Sequence, residues 1–465
     1  MGSSNEIFID RQWSVRVWRE LGALTIPVLV GNLLQQTYNV VDAIVIGYYF
    51  GESAFSAIGI AGTLTNLLLF LLFGCSNGIG IIVAELYGKQ DYSLLRKELR
   101  IALLTGITFT IFISVLSMAL LIPLLSFLAT PDLLKPLVCE YVHIIQIFLI
   151  ISFANNCLFS VLRAINAAQY ATYYLSISML INVLLDVLLI GILNMGISGA
   201  AYATVVAQAI SVSCSLVHII RKKSFLLGKE FLEKSDFYLF RRTLSYSFVS
   251  ALHMSSLYIG RMLVQGIVNT IGLAEISAFT ATSRIESLAQ SVSTSVAESL
   301  GLYIAKSRGA EDKYRINKGL QDCFVFLLCS GIIVSMIMVL IPSPLMLFML
   351  KSASEQTIRA GTGYFRIVGF AYPLCYLGNL FLGYCRGSGQ VVQQFLITTS
   401  HLMIRVIVSW LLIKQFHLTA VAIGTCIGWF AMILFQFASF SRCKRKDPFL
   451  LPSFLRRIKR SEIKD

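Results

Sequence analysis

The sequence predicts an all-α integral membrane protein: twelve transmembrane helices in two six-helix lobes, related by a pseudo-twofold axis along the membrane normal. Long apolar runs, an asymmetric distribution of positive charge and an internal repeat lead to this reading. Of the 465 residues, 56% are hydrophobic and 13% charged, where a soluble chain carries about 25% charged residues. The apolar residues gather in runs of ~18 to 25, the length that crosses a hydrocarbon core as an α-helix. β-barrel alternation is absent, so helices must satisfy the backbone inside the bilayer.

In order, the spans read 21–48, 56–86, 99–122, 136–162, 171–193, 197–220, 243–270, 275–305, 317–341, 361–385, 390–413 and 418–441. Several exceed the bilayer requirement, which predicts tilted or bent helices. With the N-terminus inside, 30 of the 38 Lys and Arg fall in inside segments or, for Arg100 and Lys318, at the inner ends of their spans. The outside loops hold Lys135, Lys351, Arg359 and Lys414, and the span interiors hold Arg261, Arg284, Arg366 and Arg405. This asymmetry predicts an even number of spans and places both termini in the cytoplasm; the inner membrane of a prokaryotic-type cell is the expected location. The net charge of +14 is thereby topological, and no nucleic-acid footprint is expected. Trp13 to Glu20 is polar and basic and shows no signal-peptide pattern.

The repeat is visible at a shift of 221 residues. Ala84, Gly88, Asp91, Lys97 and Leu99 meet Ala305, Gly309, Asp312, Lys318 and Leu320, and Thr204 meets Thr425. At a shift of 223, Tyr141 meets Tyr364 and Arg163 meets Arg386. The matches cluster at loops and helix ends rather than in apolar sequence, where chance identity is common. They predict a cytoplasmic N-terminus (1–20), an N-terminal lobe (21–220), a charged cytoplasmic linker (221–242), a C-terminal lobe (243–441) and a basic cytoplasmic tail (442–465). Repeats in this arrangement place a substrate site between the lobes.

Acids inside spans are costly and mark function. Asp42 in span one and Asp186 in span five both fall in the outer half of the N-terminal lobe. Asn182 lies one turn before Asp186 on the same helix face, and Thr204 and Tyr141 share that depth. Carboxylate, amide and hydroxyl oxygens suit a hard cation, and a buried carboxylate also gains a proton readily. Asp42, Asn182, Asp186 and Thr204 are therefore candidate sodium ligands, with Tyr141 beside them, and H+ is the alternative coupling ion. Pro27 in span one removes a helix hydrogen bond and permits a bend. Gln35, Tyr38, Arg284 and Glu286 are candidates for the substrate cleft. In the second lobe Arg261 is expected to pair with Glu286, and the surplus of arginine would suit a substrate with some anionic character. Met254 and Met262 are expected in core packing.

No soluble catalytic signature competes, and no enzymatic activity is expected. The P-loop, GxSxG and HExxH patterns are absent, the five His do not cluster, and the 10 Cys include no CxxC pair. No cofactor is expected beyond the coupling ion, and the protein is expected to act as a monomer on small molecules within the lipid bilayer.

The segment Ile26-Pro27 through Asn39-Val-Val-Asp42 and Gly47 resembles the first helix of the multidrug and toxic compound extrusion (MATE) family. Ala84-Glu-Leu-Tyr-Gly88, Asn182-Val-Leu-Leu-Asp186, Met195-Gly-Ile-Ser-Gly-Ala-Ala-Tyr-Ala-Thr204 and Arg386-Gly-Ser-Gly389 are similar to later family segments, and the likeness spans nearly the whole chain. The resemblance implies a twelve-helix, two-lobe exporter driven by sodium or proton influx. In the family's branch with acids in the N-terminal lobe, it implies coupling at Asp42, Tyr141, Asn182, Asp186 and Thr204 and a bend at Pro27. A second branch uses acids of the C-terminal lobe, and here the tenth span holds none. The rival readings are a lipid-linked saccharide flippase of a related superfamily branch and a non-transporting membrane scaffold.

Overall fold

Helices account for all the regular structure among the described residues. The computed structural model describes residues 2–127, 132, 134–228, 236–349 and 354–443, and within these the side chains outside 2–16, 36–56, 58, 59, 273 and 439–443. The helices are α1 (Gly2–Lys89), α2 (Tyr92–Phe127), α3 (Lys135–Ile147), α4 (Leu149–Ala164), α5 (Ala168–Asp186), α6 (Gly196–Lys222), α7 (Phe237–Val268), α8 (Leu273–Gly309), α9 (Lys313–Leu340), α10 (Pro342–Met349), α11 (Glu355–Gly387), α12 (Val391–Phe416) and α13 (Leu418–Cys443). A π-helical turn, Val187–Ile192, extends α5, and a 3-10 turn, Ser224–Leu226, follows α6. Among the described residues there is no strand.

Nine of these stretches are long and apolar enough to cross a membrane, and α3 with α4 forms a tenth span bent by 53°. α1 carries two of the nine, Val17–Gln35 and Ile60–Lys89, and the gap expected between spans one and two is helical. α7 and α8 complete the twelve expected spans. They are long enough, at 32 and 37 residues, but carry more polar side chains. α8 holds Ser291, Ser293, Ser295 and Ser299, all buried against other helices. The apolar exposure is inverted relative to a water-soluble fold: α2 presents Leu104, Ile107, Ile111, Phe112 and Val115 outward, as hydrocarbon solvent allows.

No proline marks the bend in span four. Its break at Phe148 disturbs the α-helical ladder, and side chains of α2 fill in: Ser114 Oγ donates to the Gln146 carbonyl at 2.6 Å, and Gln146 Nε2 donates to Ser117 Oγ at 3.1 Å. A broken helix survives in a bilayer only when neighbours satisfy its backbone this way.

The repeat is realised in the turns. Asp91 and Asp312 each accept a hydrogen bond at 3.0 Å from the backbone three residues on, at Leu94 N and Arg315 N. Both turns are entered through a residue with positive φ, Gln90 at 59° and Glu311 at 57°. Two further pairs recur at a shift of 223: Asn166 with Gly389 (φ 62° and 84°), and Asn194 with His417 (50° and 49°). Left-handed backbone at a non-glycine residue is uncommon, so the two pairs without glycine, with the Asn166–Gly389 pair beside them, support the repeat.

The chain divides into two compact units. The first, residues 30–255, holds α2 to α6 with the later part of α1 and the start of α7. Gly78 lets α1 and α7 touch there: a Cβ on it would lie 2.5 Å from the Tyr246 carbonyl oxygen. Arg242 of α7 pairs with Glu85 at 2.5 Å, and Thr243 Oγ1 donates to Glu98, 2.8 and 2.9 Å from its two carboxyl oxygens. Glu98 has no exposed surface, so Thr243→Val should cost about 1–3 kcal/mol, the penalty for orphaning a buried polar group. A lowered thermal midpoint in detergent, restored in Thr243→Ser, checks this. The second unit, residues 1–29 with 256–465, is built around α11, which packs on α8, α9 and α13. Five tyrosines and phenylalanines of α11 (Tyr364, Phe365, Tyr372, Tyr376 and Tyr384) are at most 2% exposed. Arg315 pairs with Glu20 and lies over the Tyr303 ring.

Candidate functional site

Of the predicted coupling residues, Tyr141, Asn182, Asp186 and Thr204 have described side chains, and all four lie in the first unit. α5 and α6 pack together antiparallel, and Asn182 Nδ2 donates to Thr204 Oγ1 at 3.4 Å. Asn182 is 2% exposed, and Asp186, one turn further along α5, has no exposed surface. The antiparallel run sets Asp186 level with Ala200 and Ala201, both buried. Tyr141 of α3 packs on the apolar cluster of Val138, Val142, Ile190, Ile197 and Ala200, which closes the same end of the unit. Asp42 and Tyr38 lie outside the residues whose side chains are described.

The helix changes type at Asp186. The next six residues form the π turn, with Leu193 N donating to the Leu188 carbonyl at 2.9 Å, a five-residue step. π turns occur mostly as single insertions and frequently at functional sites. Here the wider turn re-aims everything beyond Asp186, and it packs where Gly199 of α6 comes close: a Cβ on Gly199 would meet Ile190 Cγ1 at 3.3 Å.

Pro27 is half-buried inside α1, two residues before Leu29, where the packing of α1 changes from one unit to the other. Gln35 is exposed. In the second unit Arg284 is exposed, whereas Glu286 is 6% exposed and faces inward. The two are about 200° apart around α8, so they cannot share one surface. The expected Arg261–Glu286 pair does not form: Glu286 accepts instead from Tyr364 Oη at 3.0 Å. Rotation about the helix axes turns Tyr364, not Arg261, onto the carboxylate. Met254 is buried and Met262 half-buried.

One polar feature went unread in the sequence. Thr204, Gln208, Ser211, Ser215 and His218 follow one another on α6 at alternating steps of four and three, which sets them on one face. Ser152 of α4 donates to Gln208 Oε1 at 2.6 Å, and His218 Nδ1 lies 3.0 Å from Tyr174 Oη. The spacing was the available signal, masked by the apolar residues between. Among the described residues no group of three His, Cys, Asp or Glu gathers around a common point.

Comparison with known proteins bears on the fold and its internal repeat. The family model described as MatE matches residues 27–188 and 250–411, two segments that start 223 residues apart, the same shift that relates the turns. The chain is 27% identical to the probable multidrug resistance protein YpnP of Bacillus subtilis over 58% of this chain, a match spanning 61% of that relative's length. It is 23% identical to the probable multidrug resistance protein YoeA of the same organism, over 84% of this chain and 86% of that one. A solved structure of a MOP superfamily transporter from Pyrococcus furiosus superposes with a TM-score of 0.84 at 18% identity, covering 93% of this chain and 97% of the other.

Proposed function

The chain belongs to the MatE family, the multidrug and toxic compound extrusion transporters, and from that premise we propose that it is a secondary active exporter of small amphipathic organic molecules, driven by inward flow of H+ or Na+. It is a multi-pass membrane protein of twelve helices in two lobes. The reading continues with residence in the cell membrane, both termini in the cytoplasm, and alternating access as the transport mode. The names of the relatives favour drug export over saccharide flipping.

One observation supports ion coupling most: Asp186, wholly buried, sits one turn from the Asn182–Thr204 hydrogen bond, on a helix that turns π at that carboxylate. Ionising Asp186 away from water is costly. Uptake of a proton, or of a sodium ion held by Asp186 with Asn182, Thr204 and Asp42, removes that cost. The loaded and empty states then differ by several kcal/mol, enough to bias a two-state transporter. Tyr141 shields the site, and Pro27 gives α1 a place to bend as the load changes. The lobe boundaries (21–220 and 243–441) and a monomeric state complete the proposal.

The test is flux of tetraphenylphosphonium in proteoliposomes with sodium and proton gradients imposed separately. Either gradient should drive accumulation well above protein-free vesicles. No uphill flux under either one would sink the proposal.

A further inference from the structure

The second unit holds a polar cluster at the place where the first holds Asn182 and Asp186, and its charge has the opposite sign. The shift of 223 that superposes the Asn194 and His417 turns carries Asn182 onto Arg405 and Asp186 onto Ser409. The same shift carries Tyr141 onto Tyr364, and a shift of 221 carries Thr204 onto Thr425. One framework therefore presents acid and amide in one unit and guanidinium in the other.

Chain alternation puts the end of α7, the starts of α8 and α11 and the end of α12 on one side. Arg261, Glu286, Tyr364 and Arg405 lie about 10 to 20 Å from those ends at 1.5 Å per residue. Both arginines are within electrostatic reach of Glu286, yet neither closes an ion pair with it. Glu286 spends one oxygen on Tyr364. Its other oxygen, Tyr372 Oη, His401 Nδ1, Arg405 Nε and Ser409 Oγ are all buried without a hydrogen-bond partner. Glu286, Tyr372, His401 and Ser409 are each more than nine-tenths buried. Two permanent cations face one carboxylate; Arg261 is exposed and Arg405 half-buried, so one positive charge is left over within reach of a solute. A planar anion fits the excess: guanidinium donors match a carboxylate in a bidentate fork.

We propose that Arg405, with Arg261 beside it, is a binding site for the carboxylate of a small organic anion. This deepens the exporter reading by extending its substrates to anionic amphiphiles, and it rests on that reading only for transport. Binding alone can be measured on the purified chain.

The test is calorimetric titration in detergent with benzoate, methyl benzoate and chloride. Benzoate should bind and its neutral ester should not. Arg405→Gln should weaken benzoate at least ~10-fold, as loss of a charge-assisted hydrogen bond implies, with Arg405→Lys between the two. Equal affinity for acid and ester, or unchanged affinity in Arg405→Gln, would overturn the site. Chloride displacing benzoate at equal concentration would overturn the organic-carboxylate assignment. The acid–ester comparison needs no variant, so it decides even if Arg405→Gln fails to fold. Benzoate binding without tetraphenylphosphonium flux would leave this site standing and remove the exporter reading, and the converse would remove only the site.

Discussion

Asp186→Asn protein, reconstituted at the native level, should lose gradient-driven efflux by at least ~100-fold while still folding. The amide matches the carboxyl group in volume, so the packing around a residue with no exposed surface is kept. What disappears is the charge that changes on loading. A neutral side chain gives an inward-moving cation nothing to neutralise, and the energetic difference between loaded and empty states, several kcal/mol for a buried carboxylate, vanishes with it. Two decades in rate correspond to about 2.7 kcal/mol, well inside that range. Thr204→Ala should have a smaller effect, because it removes only the partner of Asn182. Uphill flux in Asp186→Asn at the native rate would refute the coupling role, and a thermal midpoint within a few degrees of the parent protein guards against misreading a misfolded sample.

The second large effect is expected at the α8–α11 crossing. A Cβ on Gly383 would lie 2.5 Å from the Ala297 carbonyl oxygen and 3.0 Å from its Cα, and one on Gly387 would lie 2.5 Å from the Gly301 carbonyl oxygen. These neighbours are backbone, so no rotamer change can relieve the clash and the helices must separate. α11 is the centre of its unit, and separation would uncover Tyr376, whose hydroxyl donates to the Ala289 carbonyl at 2.6 Å. Gly383→Val should cost about 3 kcal/mol or more and lower the thermal midpoint by roughly 10 °C. Gly363→Ala on the same helix is the control, since its Cβ would meet only Thr419 Cγ2 at 3.5 Å. Equal melting of the two variants would refute the close-packing account.

The parts of this molecule readable in the sequence depend on periodicity and local spacing. Asn182 and Asp186 could be joined because four residues make one helical turn, and Asp91 with Asp312 because helix caps keep a fixed offset. The repeat survived in loops and caps, where chemistry constrains the residue. Other features depend on facts a span map does not hold. α7 and α8 are polar for spanning helices because their side chains face other helices rather than lipid. The bend at Phe148 has no proline to announce it and is held by serines of another helix. Tyr364 rather than Arg261 reaches Glu286 because the choice turns on a few tens of degrees of helix rotation, finer than boundaries uncertain by several residues. The α6 stripe was legible in principle, since its steps of four and three are the same signal used elsewhere for apolar faces.

Residues 1–29 belong with residues 256–465, and residues 237–255 belong with the unit that precedes them. Ribosomal synthesis runs from one end, so the earliest segment to emerge, including Glu20, must wait until Arg315 has been made before it finds its resting place. The Glu20–Arg315 pair therefore closes only late in synthesis, and it joins two parts of one unit that a cut at the middle of the chain would separate.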